Sequence, residues 1–290
     1  MKYGIYYAFW EKEWGGNFTP YVKKVKDLGF DILEVACHSF SREDDQFFKE
    51  LRQVAEDNGI ILTGGYGPEV YHNLSSADES IVNASISNYK DMFRKMDIAN
   101  IRVLGGGLYS YWPVDYSLPF DKNSDRERSI RNMRKVADIA AEYGITLGME
   151  VLNRFEGYML NTCKEALHYV EEVDRPNVKI MLDTFHMNIE EDSFAEAIRL
   201  AGSRLGHFHV GEANRRPPFE GGRIPWEEIG CALREIGYDG AVVMEPFVRM
   251  DGQVGKDIRI WRDISMGSDD SKLDEDARQS VAFLRRVFEP

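Results

Sequence analysis

The sequence predicts an α/β protein folded as a single (β/α)8 barrel, and three observations support this fold class. Apolar runs of strand length alternate with longer amphipathic stretches of helical period along the whole chain. The alternation is evenly spaced, and its eight repeats fill the 290 residues. No glycine-rich dinucleotide-binding turn follows the first strand, and 104-LGGGLYS-110 lacks the GxGxxG spacing. These features favour the barrel over a doubly wound open sheet.

The individual elements follow in chain order. Strands are predicted at 3–9, 31–37, 60–66, 101–107, 145–151, 178–184, 205–211 and 240–246. The clearest amphipathic helices are predicted at 45–59, 125–144, 226–238 and 273–288. Glycines occupy the expected helix C-caps at positions 29, 59, 144 and 237. We expect residues 1–290 to form one TIM-barrel domain, with an irregular insertion at about 248–270 that acts as a lid or an oligomer contact.

Composition and charge argue against several classes of function. The formal net charge of −13 disfavours binding to nucleic acid. The three cysteines, Cys37, Cys163 and Cys231, have no CxxC spacing, so they predict neither a disulfide framework nor a zinc ribbon. No segment has the apolar length of a membrane span, and the N-terminus does not resemble a signal peptide. The sequence therefore predicts a soluble, cytoplasmic protein with no nucleic-acid or membrane partner.

Four consecutive strands are each predicted to end near a side chain that can bind a metal. These side chains are Glu150 in GMEV, Asp183 in MLDT, His209 in HFHV and Glu245 in VMEP. Functional groups of such barrels lie at the carboxyl ends of the strands. One carboxylate there would commonly cap a helix, but four side chains in register indicate a divalent cation site. Three carboxylates and one imidazole favour Mn²⁺, Mg²⁺ or Co²⁺.

Longer motifs around these positions resemble those of a known family, the ketose 3-epimerases (D-tagatose and D-psicose, or D-allulose, 3-epimerases). The segments are 108-LYSYWPVDY-116, 149-MEVLNRFEGY-158, 181-MLDTFHMNIEED-192, 209-HVGEANRR-216 and 244-MEPFVRM-250. The resemblance extends essentially from end to end. It implies that the four strand-end residues bind Mn²⁺ or Co²⁺, and that Glu150 and Glu245 are also the acid/base pair.

The same resemblance implies the substrate contacts. Glu156, His186 and Arg215 would bind the oxygens on carbons 1 to 3 of a small-molecule ketose. The apolar part of the pocket would be lined by Tyr6, Trp14, Trp112 and Phe247. Homodimers or homotetramers are expected. Gly65 and Gly107 would leave room around carbons 4 to 6, which predicts little discrimination among D-tagatose, D-fructose and D-psicose.

Epimerisation at carbon 3 requires a proton to leave one face of the sugar and another to arrive on the opposite face, through a cis-enediolate. The fifth and eighth strands are separated by two others, about 135° around an eight-stranded ring. Glu150 and Glu245 are therefore expected to approach the substrate from different sides.

Several residues have alternative interpretations. Glu156 could pair with Arg154 on the surface, and Arg216 could take the place of Arg215. In a straight strand, His186 would point away from Asp183, so it reaches the site only if the chain curls there. Trp14 and Trp112 could be core residues. His207 is interpreted as a core residue.

The sequence is also compatible with other functions. The nearest are other xylose-isomerase-like enzymes, namely an aldose–ketose isomerase, a hydroxypyruvate isomerase or an inosose dehydratase. A two-metal xylose isomerase is disfavoured because no second carboxylate–histidine cluster is found in the sequence. A DNA-repair endonuclease is disfavoured by the charge and by the presence of only six histidines. A sugar-binding barrel without catalysis is the third alternative.

Overall fold

Eight parallel strands close into a barrel in the computed structural model, which describes residues 1–290. The strands are β1 (Lys2–Tyr6), β2 (Ile32–Ala36), β3 (Ile61–Gly65), β4 (Val103–Gly106), β5 (Thr146–Glu150), β6 (Val178–Asp183), β7 (Leu205–Val210) and β8 (Ala241–Met244). Each strand pairs with the next, and β8 pairs with β1. The closed ring confirms the predicted (β/α)8 TIM barrel and excludes the open sheet.

Ten helices accompany the strands. They are α1 (Thr19–Leu28), α2 (Asp45–Asn58), α3 (Glu79–Ile98), α4 (Lys122–Glu142), α5 (Cys163–Val173), α6 (Thr184–Glu190), α7 (Phe194–Ala201), α8 (Trp226–Glu235), α9 (Gly252–Asp257) and α10 (Asp270–Phe288). The four helices predicted from their amphipathic period are all present. Helices α4 and α10 begin earlier than predicted because Asp121 and Asp269 cap them, accepting hydrogen bonds from N–H groups of the first turn.

The outer helices pack on the strands through a continuous apolar core. Phe48 on α2, Phe93 on α3 and Phe288 on α10 are completely buried. Burying a phenylalanine side chain stabilises a fold by about 1.5–3 kcal/mol. This layer holds the strands in a fixed register, so the positions of the strand ends, and of the side chains that follow them, are determined by the core.

The segment after β8 forms one wall above the carboxyl ends of the strands. It contains the short helix α9, and the N–H of Val254 donates to the carbonyl of Lys12 at 3.0 Å. Trp14 Nε1 donates to Asp257 Oδ2 at 2.8 Å. The predicted insertion is therefore tied to the loop that follows β1. None of the ten helices combines the length and the apolar character that crossing a bilayer requires.

Candidate functional site

Four adjacent strands bring their acidic and imidazole side chains together at one end of the barrel. Glu150 and Asp183 are the last residues of β5 and β6, His209 is the penultimate residue of β7, and Glu245 directly follows β8. Each offers one ligand atom, and these four atoms lie within 4.8 Å of one another. The four strand-end side chains singled out from the sequence therefore lie together in the structure.

The chemistry of this cluster fits a divalent cation. Its donors are three carboxylates and one imidazole, a set that suits hard or borderline ions. The Nδ1 atom of His209 is buried without a hydrogen-bond partner and lies 3.6 Å from Glu245 Oε1. Burial lowers the pKa of His209, but the opposing effect of Glu34 and Glu245 is larger. The pKa of His209 is therefore well above its ordinary value. A cation that binds Nδ1 therefore displaces a proton.

Asp183 has two roles in the protein. Its Oδ1 accepts the N–H of Phe185 at 2.7 Å and so caps α6, the structural role that a lone strand-end carboxylate suggests. Its Oδ2 accepts from Arg215 Nη1 at 3.0 Å. Burial opposes ionisation of Asp183, but Arg215 and His186 hold its pKa below the ordinary value. The side chain is therefore charged as well as buried.

Arg215 lies inside the site, whereas Arg216 lies outside it. Arg215 is only 3% exposed, and its Nη1 also donates to Glu245 Oε2 at 2.8 Å. Its backbone φ of 65° turns the loop so that consecutive side chains diverge. The guanidinium of Arg216 instead lies over the ring of Phe219, 5.5 Å from its centroid. The structure therefore places the first of the two arginines in the pocket.

His186 reaches the cluster because α6 begins directly after Asp183. Residues three apart on a helix lie on the same side, which brings His186 Nε2 to 3.5 Å from Glu150 Oε1. Its Nδ1 accepts the backbone N–H of Asn153 at 3.2 Å, so in the neutral ring Nε2 carries the hydrogen. Burial lowers the pKa of His186, but Glu156 and Glu150 raise it above its ordinary value.

Glu156 faces the pocket and is not paired on the surface. Its Oε1 accepts from Asn153 Nδ2 at 3.1 Å, and its Oε2 accepts from Trp112 Nε1 at 3.4 Å. Arg154 pairs with Glu190 instead, at 2.8 Å. The surface pair that the sequence left open is therefore absent.

Four aromatic side chains form an apolar wall of the same cavity. Tyr6 and Phe247 pack edge to face with ring centroids 6.1 Å apart, and Trp14 lies 5.9 Å from Phe247. Trp112 is perpendicular to Trp14 at 6.4 Å. Both tryptophans are only half-buried and border the cavity, so they are not core residues.

Glycines keep the floor of the cavity open. A Cβ on Gly107 would meet only Leu152 Cδ1, at 3.6 Å, whereas a Cβ on Gly65 would approach the ring of Tyr6 at 3.2 Å. Gly106, which the sequence did not single out, has φ of 128°, and a Cβ there would lie 2.2 Å from the carbonyl oxygen of Tyr66. Only glycine fits at position 106 without rearrangement.

All the residues predicted for the site line this cavity except Asp183, which lies 1% exposed beneath it. Two residues near the cluster were not predicted from the sequence: Asn153, which contacts both His186 and Glu156, and Glu34. Glu34, His207 and His209 form a second carboxylate–histidine cluster. The expectation that no such cluster exists was wrong, because its members come from β2 and β7, which are far apart in the chain. A lone glutamate inside the apolar run 31-DILEVAC-37 was the available signal.

Comparison with known proteins agrees with this geometry. The model of the xylose isomerase-like TIM barrel family matches residues 22–287. The chain belongs to this family and, within it, to the ketose 3-epimerases that its motifs resemble. It is 53% identical to the D-psicose 3-epimerase of Agrobacterium fabrum over 99% of both chains. It is 52% identical to that of Ruminiclostridium cellulolyticum, over 100% of this chain and 98% of the relative. The crystal structure of the D-psicose 3-epimerase of Clostridium cellulolyticum H10 with D-tagatose superposes with a TM-score of 0.99, at 51% identity and full coverage of both chains.

Proposed function

We propose that this protein catalyses the reversible epimerisation of free ketohexoses at carbon 3 and requires a divalent cation. The observation that carries the proposal is the placement of two carboxylates, Glu150 and Glu245, at one cavity but on strands β5 and β8. Their neighbours differ, because Glu150 lies beside His186 while Glu245 accepts from Arg215. Two carboxylates in different environments suit a reaction that needs an acid and a base at once.

The chain's own residues account for the proton transfers. One carboxylate takes the proton from carbon 3, which leaves the sugar as a cis-enediolate, and the other returns a proton to the opposite face. Burial raises the pKa of Glu245 above its ordinary value, against the opposing effects of His209 and Arg215, and a raised pKa favours a role in proton transfer. Reversing the two roles gives the reverse reaction.

The cation would be held by Glu150, Asp183, His209 and Glu245. A bound divalent cation polarises the ketose oxygens and stabilises the negative charge that develops on them. We expect Mn²⁺ or Co²⁺ to support the reaction and Mg²⁺ to be an alternative, because the site combines one imidazole with three carboxylates.

The polar side chains near Glu150 and Glu245 are proposed to orient the substrate. We expect Glu156, His186 and Arg215 to bind the oxygens on carbons 1 to 3. His186 presents an N–H donor and Glu156 presents acceptors, so together they suit hydroxyl groups. The aromatic wall of Tyr6, Trp14, Trp112 and Phe247 would contact the carbon skeleton.

The preferred sugars are inferred from the relatives. Several of these are D-psicose 3-epimerases, and two solved relatives were crystallised with D-tagatose and with D-fructose. We propose that this chain interconverts D-fructose with D-psicose and D-tagatose with D-sorbose.

Gly107 is expected to set how permissive the pocket is. Because space beyond its Cα is open, Gly107→Leu should fold normally but fill the volume assigned to carbons 4 to 6. We expect kcat/KM to fall unequally for D-tagatose, D-fructose and D-psicose, with the largest loss about tenfold or more. Steady-state kinetics on the three sugars measure this. Unchanged relative rates would show that position 107 does not shape the pocket.

The decisive experiment follows hydrogen exchange at the sugar. The purified protein is stripped of metal, reloaded with Mg²⁺ or Co²⁺ and incubated with D-fructose in D₂O, and the product is identified by NMR after the metal is removed. D-psicose carrying deuterium at carbon 3 is the expected result. This product should not form when a chelator is present from the start. An aldose carrying deuterium at carbon 2 would instead identify an aldose–ketose isomerase that acts through an enediol. No exchange would contradict catalysis on this sugar.

We propose that the protein assembles as a homodimer or homotetramer through its exposed apolar loops. Tyr116, Leu118, Phe120 and Phe155 follow β4 and β5 and are 41–59% exposed. The hydroxyl of Tyr116 donates to the carbonyl of Arg154 at 3.1 Å, which joins the two loops into one surface. Monomers rarely expose large apolar patches. Trp261 and Met266 on the insertion could form the second interface that a tetramer needs.

The double variant Phe120→Lys/Phe155→Lys is expected to dissociate the assembly, because paired lysines facing each other across an interface repel and lose apolar burial. Multi-angle light scattering should show a lower mass than for the unmodified protein. Leu200→Lys is the matched control, since Leu200 is 46% exposed on α7, outside these loops. An unchanged mass for the double variant would place the interface elsewhere.

We further propose that residues 1–290 act as one catalytic domain in a reducing compartment such as the cytoplasm. The thiols of Cys37, Cys163 and Cys231 are all free. Small ketoses are the proposed partners, and the net charge of −13 disfavours nucleic acid.

A further inference from the structure

Glu34 is a buried carboxylate that the proposed chemistry does not use. It is the only charged residue of β2 and is 1% exposed. Leaving an ionised carboxylate in such a position is costly unless its oxygens have partners. The partners of Glu34 therefore indicate why the barrel keeps a carboxylate at this position.

Both oxygens of Glu34 contact polar groups inside the barrel. Oε1 lies 2.6 Å from His209 Nε2, a hydrogen-bond distance. Oε2 accepts from the hydroxyl of Thr63 on β3 at 2.8 Å and lies 2.8 Å from His207 Nε2. His207 and His209 are two residues apart on β7, so both rings point to the inside of the barrel, with their centroids 5.0 Å apart.

The bond between Glu34 and His209 determines which nitrogen of His209 is available to a cation. An ionised carboxylate only accepts hydrogen bonds, so Nε2 of His209 must carry the hydrogen that Glu34 receives. The lone pair of the neutral ring is then on Nδ1. Nδ1 is the atom that faces Glu245 at 3.6 Å and has no other partner.

We propose that Glu34 is a positioning residue for cation binding. It fixes the ring orientation and the tautomer of His209, so that Nδ1 is presented to the site formed with Glu150, Asp183 and Glu245. This inference rests on the proposed function only in that it takes these four residues as the cation ligands. A hydrogen bond to the second nitrogen of a metal-binding histidine is a general means of raising metal affinity.

The alternative role for the cluster of Glu34, His207 and His209 is a second cation site. The separation of 2.6 Å between Glu34 Oε1 and His209 Nε2 suits a shared hydrogen. Ligands about 2.0–2.2 Å from a common transition-metal ion are usually farther apart than this. Filling both sites would also require His209 to give up both of its ring hydrogens. The inference therefore predicts one cation per chain.

The test compares cation affinity in the full chain with Glu34→Gln and with Asp125→Asn. Asp125 on α4 provides the matched control. It is another buried carboxylate, and it accepts a hydrogen bond from the hydroxyl of Tyr158 at 2.6 Å. Free Mn²⁺ is measured by electron paramagnetic resonance during titration, and thermal unfolding is measured without metal. We expect one Mn²⁺ per chain, with a Kd raised about 10–100-fold in Glu34→Gln only.

Each outcome bears on the inference. If the Kd of Glu34→Gln for Mn²⁺ stays within about twofold of that of the unmodified protein, the inference is overturned and the proposed function is left intact. The same holds if Asp125→Asn loses as much Mn²⁺ affinity as Glu34→Gln. Two Mn²⁺ ions per chain, the second lost in Glu34→Gln, would replace it with a second cation site. Failure of the unmodified protein to bind Mn²⁺ would overturn both this inference and the proposed cation requirement.

A second measurement keeps the inference testable if Glu34→Gln does not fold. Nitrogen-15 NMR of histidine-labelled, unmodified protein loaded with diamagnetic Mg²⁺ or Cd²⁺ reports the hydrogens on each ring. We expect His209 to carry a hydrogen on Nε2 alone. A hydrogen on Nδ1 of His209 in the loaded protein would overturn the inference.

Discussion

Glu150→Gln is expected to lower kcat for D-fructose by about 10²–10⁴-fold without unfolding the protein. Glutamine has nearly the same shape and keeps an oxygen that can face the cation site, but its amide neither takes nor gives a proton at neutral pH. Glu150 is the last residue of β5 and lies beside His186, so the substitution changes one group in a fixed barrel. Stopped-assay kinetics, circular dichroism and Mn²⁺ titration separate loss of chemistry from loss of fold or metal.

Glu245→Gln is the companion variant, which tests whether each carboxylate serves one face of the sugar. If each carboxylate serves one face of the sugar, each variant keeps one working acid/base group. In D₂O one variant should exchange the carbon-3 hydrogen of D-fructose without forming product, and the other should exchange only that of D-psicose. Near-normal turnover in Glu150→Gln would remove Glu150 from the acid/base pair. Exchange of the same epimer by both variants would contradict the assignment of one carboxylate to each face.

The fold could be predicted from the sequence because its determinants are local. Alternation of apolar strands with amphipathic helices is a property of neighbouring residues, and in a parallel barrel it leaves little choice of topology. Asp183 was identified on the same basis, since a carboxylate that ends an apolar strand needs a partner. The prediction extended to the three other strand ends because parallel strands present equivalent positions at one edge.

Residues that depend on loop geometry were harder to predict. His186 was placed at the site by family resemblance, but its direction depends on α6 starting directly after β6, which strand periodicity does not predict. Glu34 was missed because its partners lie on β3 and β7, and the spatial adjacency of β2 and β7 side chains across the barrel interior is not visible in the chain. Asn153 was missed because part of its contribution is a backbone N–H, which every residue except proline has.

Arg215→Ala is expected to raise KM for D-fructose about 10–100-fold, the equivalent of losing one hydrogen bond to a charged group. Cation affinity should stay the same or increase. Arg215 Nη1 bonds Asp183 Oδ2 and Glu245 Oε2, so removing the guanidinium leaves both carboxylates free to bind a cation. The measurement pairs steady-state kinetics with Mn²⁺ titration of the same variant.

Arg216→Ala is the matched control for this prediction. The side chain of Arg216 lies against Phe219 outside the cavity, so its removal should change KM by less than about twofold. The KM of Arg215→Lys should fall between those of Arg215→Ala and Arg216→Ala. Lysine keeps the charge but lacks the guanidinium, whose Nη1 contacts Asp183 and Glu245 while its Nη2 lies 3.9 Å from Glu156. A large effect of Arg216→Ala with little effect of Arg215→Ala would show that the loop after β7 presents the second arginine to the sugar. Loss of Mn²⁺ from Arg215→Ala would instead assign Arg215 to the support of the cation site, because a residue that only binds substrate leaves cation affinity intact.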